Sequence, residues 1–366
     1  RKHGPPTYRR EMELGFYTFG DVHPSPVTGD VVSPGQRLRD VLERIRLADE
    51  VGLEYVGIGE HHRPDYAISS PSTVIAAGLA QTSRITVGSA VTVLSTEDPV
   101  RVYQQFSTMD LYSQGRVELL AGRGSFIESY PLFGASLDDY DELYDEKIAL
   151  LLQLDLAERT TWSGRFRPAL DDALVLPRPY DKPGRGAHLD IAVATGGNPQ
   201  SSARAGLLGL PISYAIIGGQ PASFAPLVDL YRRSFAEAGP AVRERLPADA
   251  RPFVAVAGMG FVGDESKAAR EFFYPYWLES MRRISSERGF AMPNRISYES
   301  QAARGGAYFV GHPEEVAERI VALHEVLGHD RQAFQMDLSG VPQAESLRAI
   351  ELLGTRVAPL VREALS

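Results

Sequence analysis

Residues 85–124 read ITVGSAVTVLSTEDPVRVYQQFSTMDLYSQGRVELLAGRG, and this stretch constrains the fold more than any other. Its first ten residues are rich in β-branched side chains and predict a strand that ends in small polar residues. A helix follows, with Thr96 expected as its N-cap and Glu97 and Asp98 in its first turn. Gly115-Arg116 turns the chain into a second strand over 117–121, which breaks on Gly122-Arg123-Gly124. The result is a β-α-β unit whose strands both stop at small or polar residues. In parallel α/β proteins the carboxyl ends of strands carry the chemistry.

The same rhythm runs along the chain. Apolar strands are expected at 12–19, 55–59, 188–194, 210–216, 252–262 and 333–338, besides the two above. Helices are expected at 36–51, 72–81, 138–155, from about 200, and at 221–238, 265–288, 313–327 and 343–365. The first of these places Leu38, Val41, Leu42, Ile45 and Ala48 on one face. Residues 20–35 form a Gly- and Pro-rich loop, and 158–187 suggest a short inserted hairpin. The polar, Gly-rich segment 289–307 has no convincing period and is a candidate active-site lid. Eight strands alternating with helices predict an α/β fold, a (β/α)8 barrel with parallel strands and right-handed crossovers. At 366 residues the chain is expected to form one domain, with residues 1–11 as a flexible N-terminal extension.

Composition excludes several classes. With 38 basic and 47 acidic residues the net charge is −9, so there is no basic footprint for nucleic acid. Cysteine is absent, which removes disulfides, thiolate metal sites and cysteine nucleophiles. No apolar run approaches the roughly 20 residues that span a membrane, and a cytoplasmic protein is expected.

Three constellations could carry chemistry. In Glu60-His61-His62, at the end of the second strand, adjacent histidines on extended backbone point to opposite faces. They cannot share one metal without further ligands, and no metal is expected. The bland alternative is a structural histidine. In Gly122-Arg123-Gly124 the glycines allow close approach of a ligand to the backbone, and an arginine fork suits an oxyanion. The alternative is a solvated surface arginine. In Gly196-Gly197-Asn198-Pro199-Gln200-Ser201-Ser202, between a strand and a helix start, backbone N–H groups offer an anion site without a basic residue. No GxGxxG follows the first strand, so a dinucleotide fold is a poor reading.

The segments GIGEHH, GSAVTVLSTEDPVR and SQGRVELLAGRG, followed by ATGGNPQSSARAGLLGLP and YFVGHPEEVAERI, resemble the bacterial luciferase-like family of flavin-dependent oxidoreductases. The order and spacing of these motifs carry the resemblance, and it covers most of the chain. It implies noncovalent FMN and a two-component monooxygenase. In that scheme a separate flavin reductase supplies reduced flavin, and one atom of O2 enters a small organic substrate. It implies His61 as the acid–base histidine beside the flavin, since an imidazole titrates near neutrality. It implies a cis peptide at Ala90-Val91 backing the ring, with Thr92 and Ser95 as neighbours. Arg123 and Gly124 would lie near the phosphate, together with Gly196, Gly197 and Ser201, Ser202 being the alternative serine. Thr18, with Tyr17 and Gly20, could touch flavin or substrate, and Phe126, Tyr130 and Phe133 could wall a substrate pocket. Asp337 reads as a polar group at the barrel mouth or a cap, and Ser72, Glu97 and Asp98 as caps. The family also implies a homodimer through the two helices between strands two and four. Two alternatives stand beside this: hydride transfer with the deazaflavin coenzyme F420, and a flavin-binding protein without turnover.

Overall fold

Eight short runs of apolar residues pair in chain order. The strands are β1 (Glu13–Thr18), β2 (Tyr55–Ile58), β3 (Thr86–Ser89), β4 (Val117–Gly122), β5 (Asp190–Thr195), β6 (Ile212–Ile216), β7 (Val254–Val262) and β8 (Arg331–Gln335). Every neighbouring pair is parallel, and β8 returns to β1, where Gly15 faces Ala333 on one side and Tyr55 on the other. The closed parallel barrel is the expected (β/α)8 fold, and closure leaves its strands no free edge. This is a computed structural model; it describes residues 11–366 except 125, 248, 249 and 290. Residues 1–10, most of the expected N-terminal extension, lie outside the described residues.

Each strand is followed by a covering helix: α1 (Pro34–Glu50), α2 (Pro71–Ala80), α3 (Pro99–Ser113), α4 (Tyr140–Leu156), α5 (Pro199–Leu207), α6 (Ala225–Ala236), α7 (Pro313–Leu327) and α8 (Gln343–Leu352). Six of the eight carry proline in the first turn, where its missing N–H is no loss. Val41, Ile45 and Ala48 of α1 pack on the outward residues of the sheet, such as Leu14, Phe16, Val56 and Ile58. Alternate residues point inward, so Tyr17, Tyr55 and Ala333 form a separate cluster inside the barrel. At the amino-terminal end the interior is closed by charge. Arg331 forks onto Glu118 at 2.7 and 2.9 Å, bonds Glu13 at 2.8 Å, and lies 4.0 Å above the Tyr55 ring.

The structure corrects several local expectations. Thr96 does not cap α3; it sits in a 3-10 turn (Leu94–Thr96), and Asp98 caps the helix by accepting from the N–H groups of Val100 and Arg101. The displaced cap follows from Pro99, which fixes the first helical turn one step later. Ser72 lies inside α2, whose N-cap position is Ser70. Within 289–307 a helix (Arg295–Ala302) is closed by a capping box between Asn294 and Ser297. It buries only Tyr298 and Ala302, too few to show a period in the sequence. An added strand (Tyr308–Gly311) pairs with the far end of β7, because β7 runs nine residues and outreaches the barrel. The expected hairpin is present as Arg159–Trp162 against Leu170–Leu174.

Candidate active site

At the carboxyl ends of β2 to β5 the chain builds a continuous arc. Its centre is a break in the third strand. β3 stops at Ser89, and a two-residue strand (Thr92–Val93) resumes beside β4. Gly88 pairs with Glu118 and Thr92 with Ala121, so the third strand spends four steps where β4 spends three. That is a bulge of one residue. The Ala90-Val91 peptide within it is cis, as the resemblance implies, and the continuous strand expected over 85–94 is interrupted there.

Glycines make room for the bulge. A Cβ on Gly57 would lie 2.7 Å from the Ala90 Cβ, and one on Gly122 only 2.6 Å from Val91 Cγ2. Gly122 was expected to admit a ligand to the backbone; the space it leaves is taken by Val91. Ser89 bridges the broken ladder: its hydroxyl donates to the Leu120 carbonyl at 3.2 Å and accepts from the Leu120 N–H at 3.0 Å.

Extended backbone sorts Glu60-His61-His62 by face. Glu60 turns toward the bulge, where one carboxylate oxygen accepts from the Val93 N–H at 2.9 Å and the other pairs with His62 Nε2 at 2.8 Å. His62 in turn packs against Phe133 at 5.2 Å. His61 turns the other way into rings of Phe19, Tyr66 and Phe126, with centroids 4.3, 4.6 and 4.7 Å away. Burial, and then the neighbouring Arg63, push its pKa down to about 3. The imidazole is therefore neutral at physiological pH, and its ring nitrogens have no hydrogen-bond partner among the described residues.

Arg63 lies 4.5 Å above Phe126 and ties three segments together. It bonds Asp65 at 3.1 Å, Glu128 after β4 at 2.9 Å, and Glu287 near the end of the long helix Ser266–Arg288 at 2.5 Å. Arg283 on the same helix bonds Asp65 at 2.5 Å and Ser339 at 3.0 Å. This helix end is thus strapped across the mouth of the barrel.

A small cleft opens between α4 and α5, lined by Arg123, Tyr144, Ile148, Ala194, Ser201 and Arg204 among others. Both guanidinium groups lie over Tyr144, at 5.3 and 5.2 Å. Asp141 and Asp145, one turn apart on α4, hold them: Arg123 donates to Asp141 at 2.6 Å and Arg204 to Asp145. Arg204 was not anticipated; its signal was the spacing Ser201-x-x-Arg204, which puts both on one helix face. Gly197 has φ +110°, yet the loop's N–H groups are not free. Those of Gly197 and Asn198 donate to the Thr195 hydroxyl, and those of Gln200 and Ser201 to the Asn198 side chain. Ser202 is fully buried, its hydroxyl 2.9 Å from Tyr214 Oη. Ser201 and Arg123 are therefore brought together, while Ser202 points into the core.

The remaining anticipated residues fall in two places. Thr18 is buried and donates to Asp337 at 2.5 Å; Asp337 also accepts from Arg44 at 2.6 Å. Asp337 is thus the counter-ion of a buried arginine and makes no capping bond. Gly124 has φ +81° and its carbonyl accepts from Tyr140, while Tyr130 donates to the Arg123 carbonyl at 3.1 Å. Tyr130 is fully buried and packs the loop from beneath, so of the three aromatics named for a wall only Phe126 reaches His61.

No helix among the described residues is long and apolar enough to cross a membrane. The sequence profile of the luciferase-like monooxygenases matches residues 12–330. An uncharacterised protein of Sinorhizobium fredii, y4vJ, is 25% identical over 334 residues, covering 90% of this chain and 93% of its own. The monooxygenase RslO1 of Streptomyces bottropensis superposes with a TM-score of 0.77 at 24% identity, covering 95% of this chain and 99% of that one. The oxygenating constituent of 3,6-diketocamphane monooxygenase from Pseudomonas putida, in complex with FMN, does so at 0.74 and 20%, covering 96% and 98%. A coenzyme F420-dependent reductase from Methanopyrus kandleri shares the fold at 0.67 and 17%, covering 95% and 99%. The chain belongs to the luciferase-like monooxygenase family.

Proposed function

We propose that the protein is an FMN-dependent monooxygenase that takes reduced flavin from a separate reductase and oxygenates a small organic substrate. The observation that carries this reading is the cleft where Arg123, Arg204 and Ser201 converge, on the arc that also holds the bulge and His61. Two guanidinium groups match the charge of a terminal phosphate monoester, and both now rest on partly exposed aspartates that such a dianion would replace. Ala90 and Val91 would back the ring, and Gly124, Gly196 and Gly197 would lie beside the phosphate. Reduced flavin, once bound, supplies the electrons that activate O2.

The residues themselves position and shield. His61 is the proton carrier of the same proposal: its imidazole is neutral and burial lowers its basicity, so a bound anionic group is needed to raise it into the working range. Phe19, Tyr66 and Phe126 pack around the imidazole ring and fix its orientation. A homodimer through α2 and α3 is part of the same proposal. Leu111 and Tyr112 stand exposed on α3, and Tyr112 donates to the Ala76 carbonyl of α2 at 2.9 Å.

Titration of the purified protein with FMN, riboflavin and coenzyme F420 tests the reading. FMN should bind tightest. A charge-assisted contact contributes about 1.5–3 kcal/mol, so Arg123→Ala or Arg204→Ala should weaken FMN roughly 10- to 100-fold and leave riboflavin unchanged. Selective binding of F420 would move the function to hydride transfer. Tight FMN binding without O2 consumption in a reductase-coupled assay, across a broad substrate screen, would favour a flavin-binding protein without turnover.

A further inference from the structure

The Glu60 carboxylate is nearly inaccessible, at 4% exposure, and it is spent on backbone. A buried carboxylate usually pairs with a cation; among the described residues no lysine or arginine bonds this one. Instead it accepts from the N–H of Val93, the second residue of the strand that resumes after the bulge, whose Cα pairs with Gly122 of β4. That N–H is buried with Val93 itself, which is 3% exposed. Without Glu60 it would be an unpaired buried donor, a loss that native structures rarely tolerate. The other oxygen pairs with His62, whose side chain is only 9% exposed. Glu60 therefore spans two strands: its own backbone continues β2, and its side chain holds the third strand where regular pairing has failed. His61 is the next residue.

We propose that Glu60 is a positioning residue that fixes the bulge at 90–91 in register with His61, so that the surface backing the cofactor ring and the imidazole move as one piece. This rests on the flavin reading above. The lever is short. Ala90 Cβ lies against the Gly57 position and Val91 Cγ2 against Gly122, so the bulge cannot slide along either neighbour without collision. Ser89 holds its entry through Leu120, and Glu60 holds its exit through Val93. Of these two anchors, only Glu60 comes from the strand that carries His61.

The test compares three variants of the whole protein by FMN titration and by the visible spectrum of bound FMN. Glu60→Leu removes the acceptor and should weaken FMN at least tenfold and shift the bound spectrum. Glu60→Gln keeps an amide oxygen for Val93 and an amide donor for His62, and should stay within about threefold of the parent. Asp49→Ala is the control: Asp49 accepts from the N–H groups of Ser83, Arg84 and Ile85 at the opposite end of the third strand. It should lower the melting temperature and leave FMN affinity and spectrum unchanged. Folded Glu60→Leu with parental affinity and spectrum overturns the proposal, as does an equal loss in Asp49→Ala. If Glu60→Leu does not fold, Glu60→Gln decides, since a tenfold loss there would mean that charge and not the backbone anchor matters. A parent protein that binds no flavin overturns the flavin reading itself, and is distinguished from these outcomes because the variants are then not needed.

Discussion

Val91 and Gly122 show how single residues set this site. The side chain of Val91 occupies space that any Cβ at 122 would enter, at 2.6 Å from Cγ2 and 2.9 Å from Cβ. Neither partner is a flexible side-chain end: Val91 is β-branched and held by the bulge, and position 122 lies in the barrel wall. Gly122→Ala should therefore destabilise the protein by about 1–3 kcal/mol, the usual range for overpacking. Gly218→Ala, with nothing within 4 Å and an ordinary φ, should change stability by less than about 0.5 kcal/mol. Thermal melting of the two variants checks this, and equal melting temperatures would show that the notch is not tight. FMN affinity should fall in Gly122→Ala alone, because Val91 is displaced toward the ring side.

Among the elements, the long helix Ser266–Arg288 gains its place over the mouth from ion pairs in its last two turns. Glu287 and Glu128 are about a third exposed or more, so the Arg63 cluster contributes only about 1 kcal/mol to global stability. Its effect is local. Arg63→Met should leave the melting temperature within a few degrees and raise amide exchange over residues 283–288 and 126–130. High salt should bring the parent toward the variant. Unchanged exchange would show that packing alone holds the strap. This element was visible in the sequence, and its role was not, because Arg63 and Glu287 are 224 residues apart. The barrel strands were legible because each is a short apolar run bounded by Gly, Pro or polar residues. The break in the third strand was not legible in composition, since SAVTV is a strand by every local measure; the family resemblance supplied it. Arg123 and Ser201 could be named, whereas the diversion of the loop N–H groups onto Thr195 and Asn198 depends on side-chain rotamers that spacing does not encode. The Glu13–Glu118–Arg331 closure joins three distant segments and leaves no local trace.

At the scale of the whole molecule, two buried histidines couple the fold to pH. His329, between α7 and β8, is wholly buried, and neither ring nitrogen has a hydrogen-bond partner within bonding geometry among the described residues. Burial, and then His324, push its pKa down to about 3, with Gln332 opposing weakly. His61 is lowered to about 3 as well, chiefly by burial. In the unfolded chain both would titrate near 6.5. Between those values the unfolded state binds more protons, so the stability these residues contribute is complete above pH 6.5 and is lost as pH falls toward 3. Each histidine steepens that loss by about 1.4 kcal/mol per pH unit. Asp21 and Glu54, whose carboxyl pKa values burial raises, act with the opposite sign, since the native state then holds their protons more tightly. His329→Leu removes one contributor without breaking a hydrogen bond, so its stability at pH 7.5 should be close to the parent's. Between pH 7.5 and 5.5 it should lose about 1.4 kcal/mol less than the parent, measured by urea unfolding at the two pH values. Parallel losses in the two proteins would mean that His329 does not remain neutral in the native state, and that the acid sensitivity resides elsewhere.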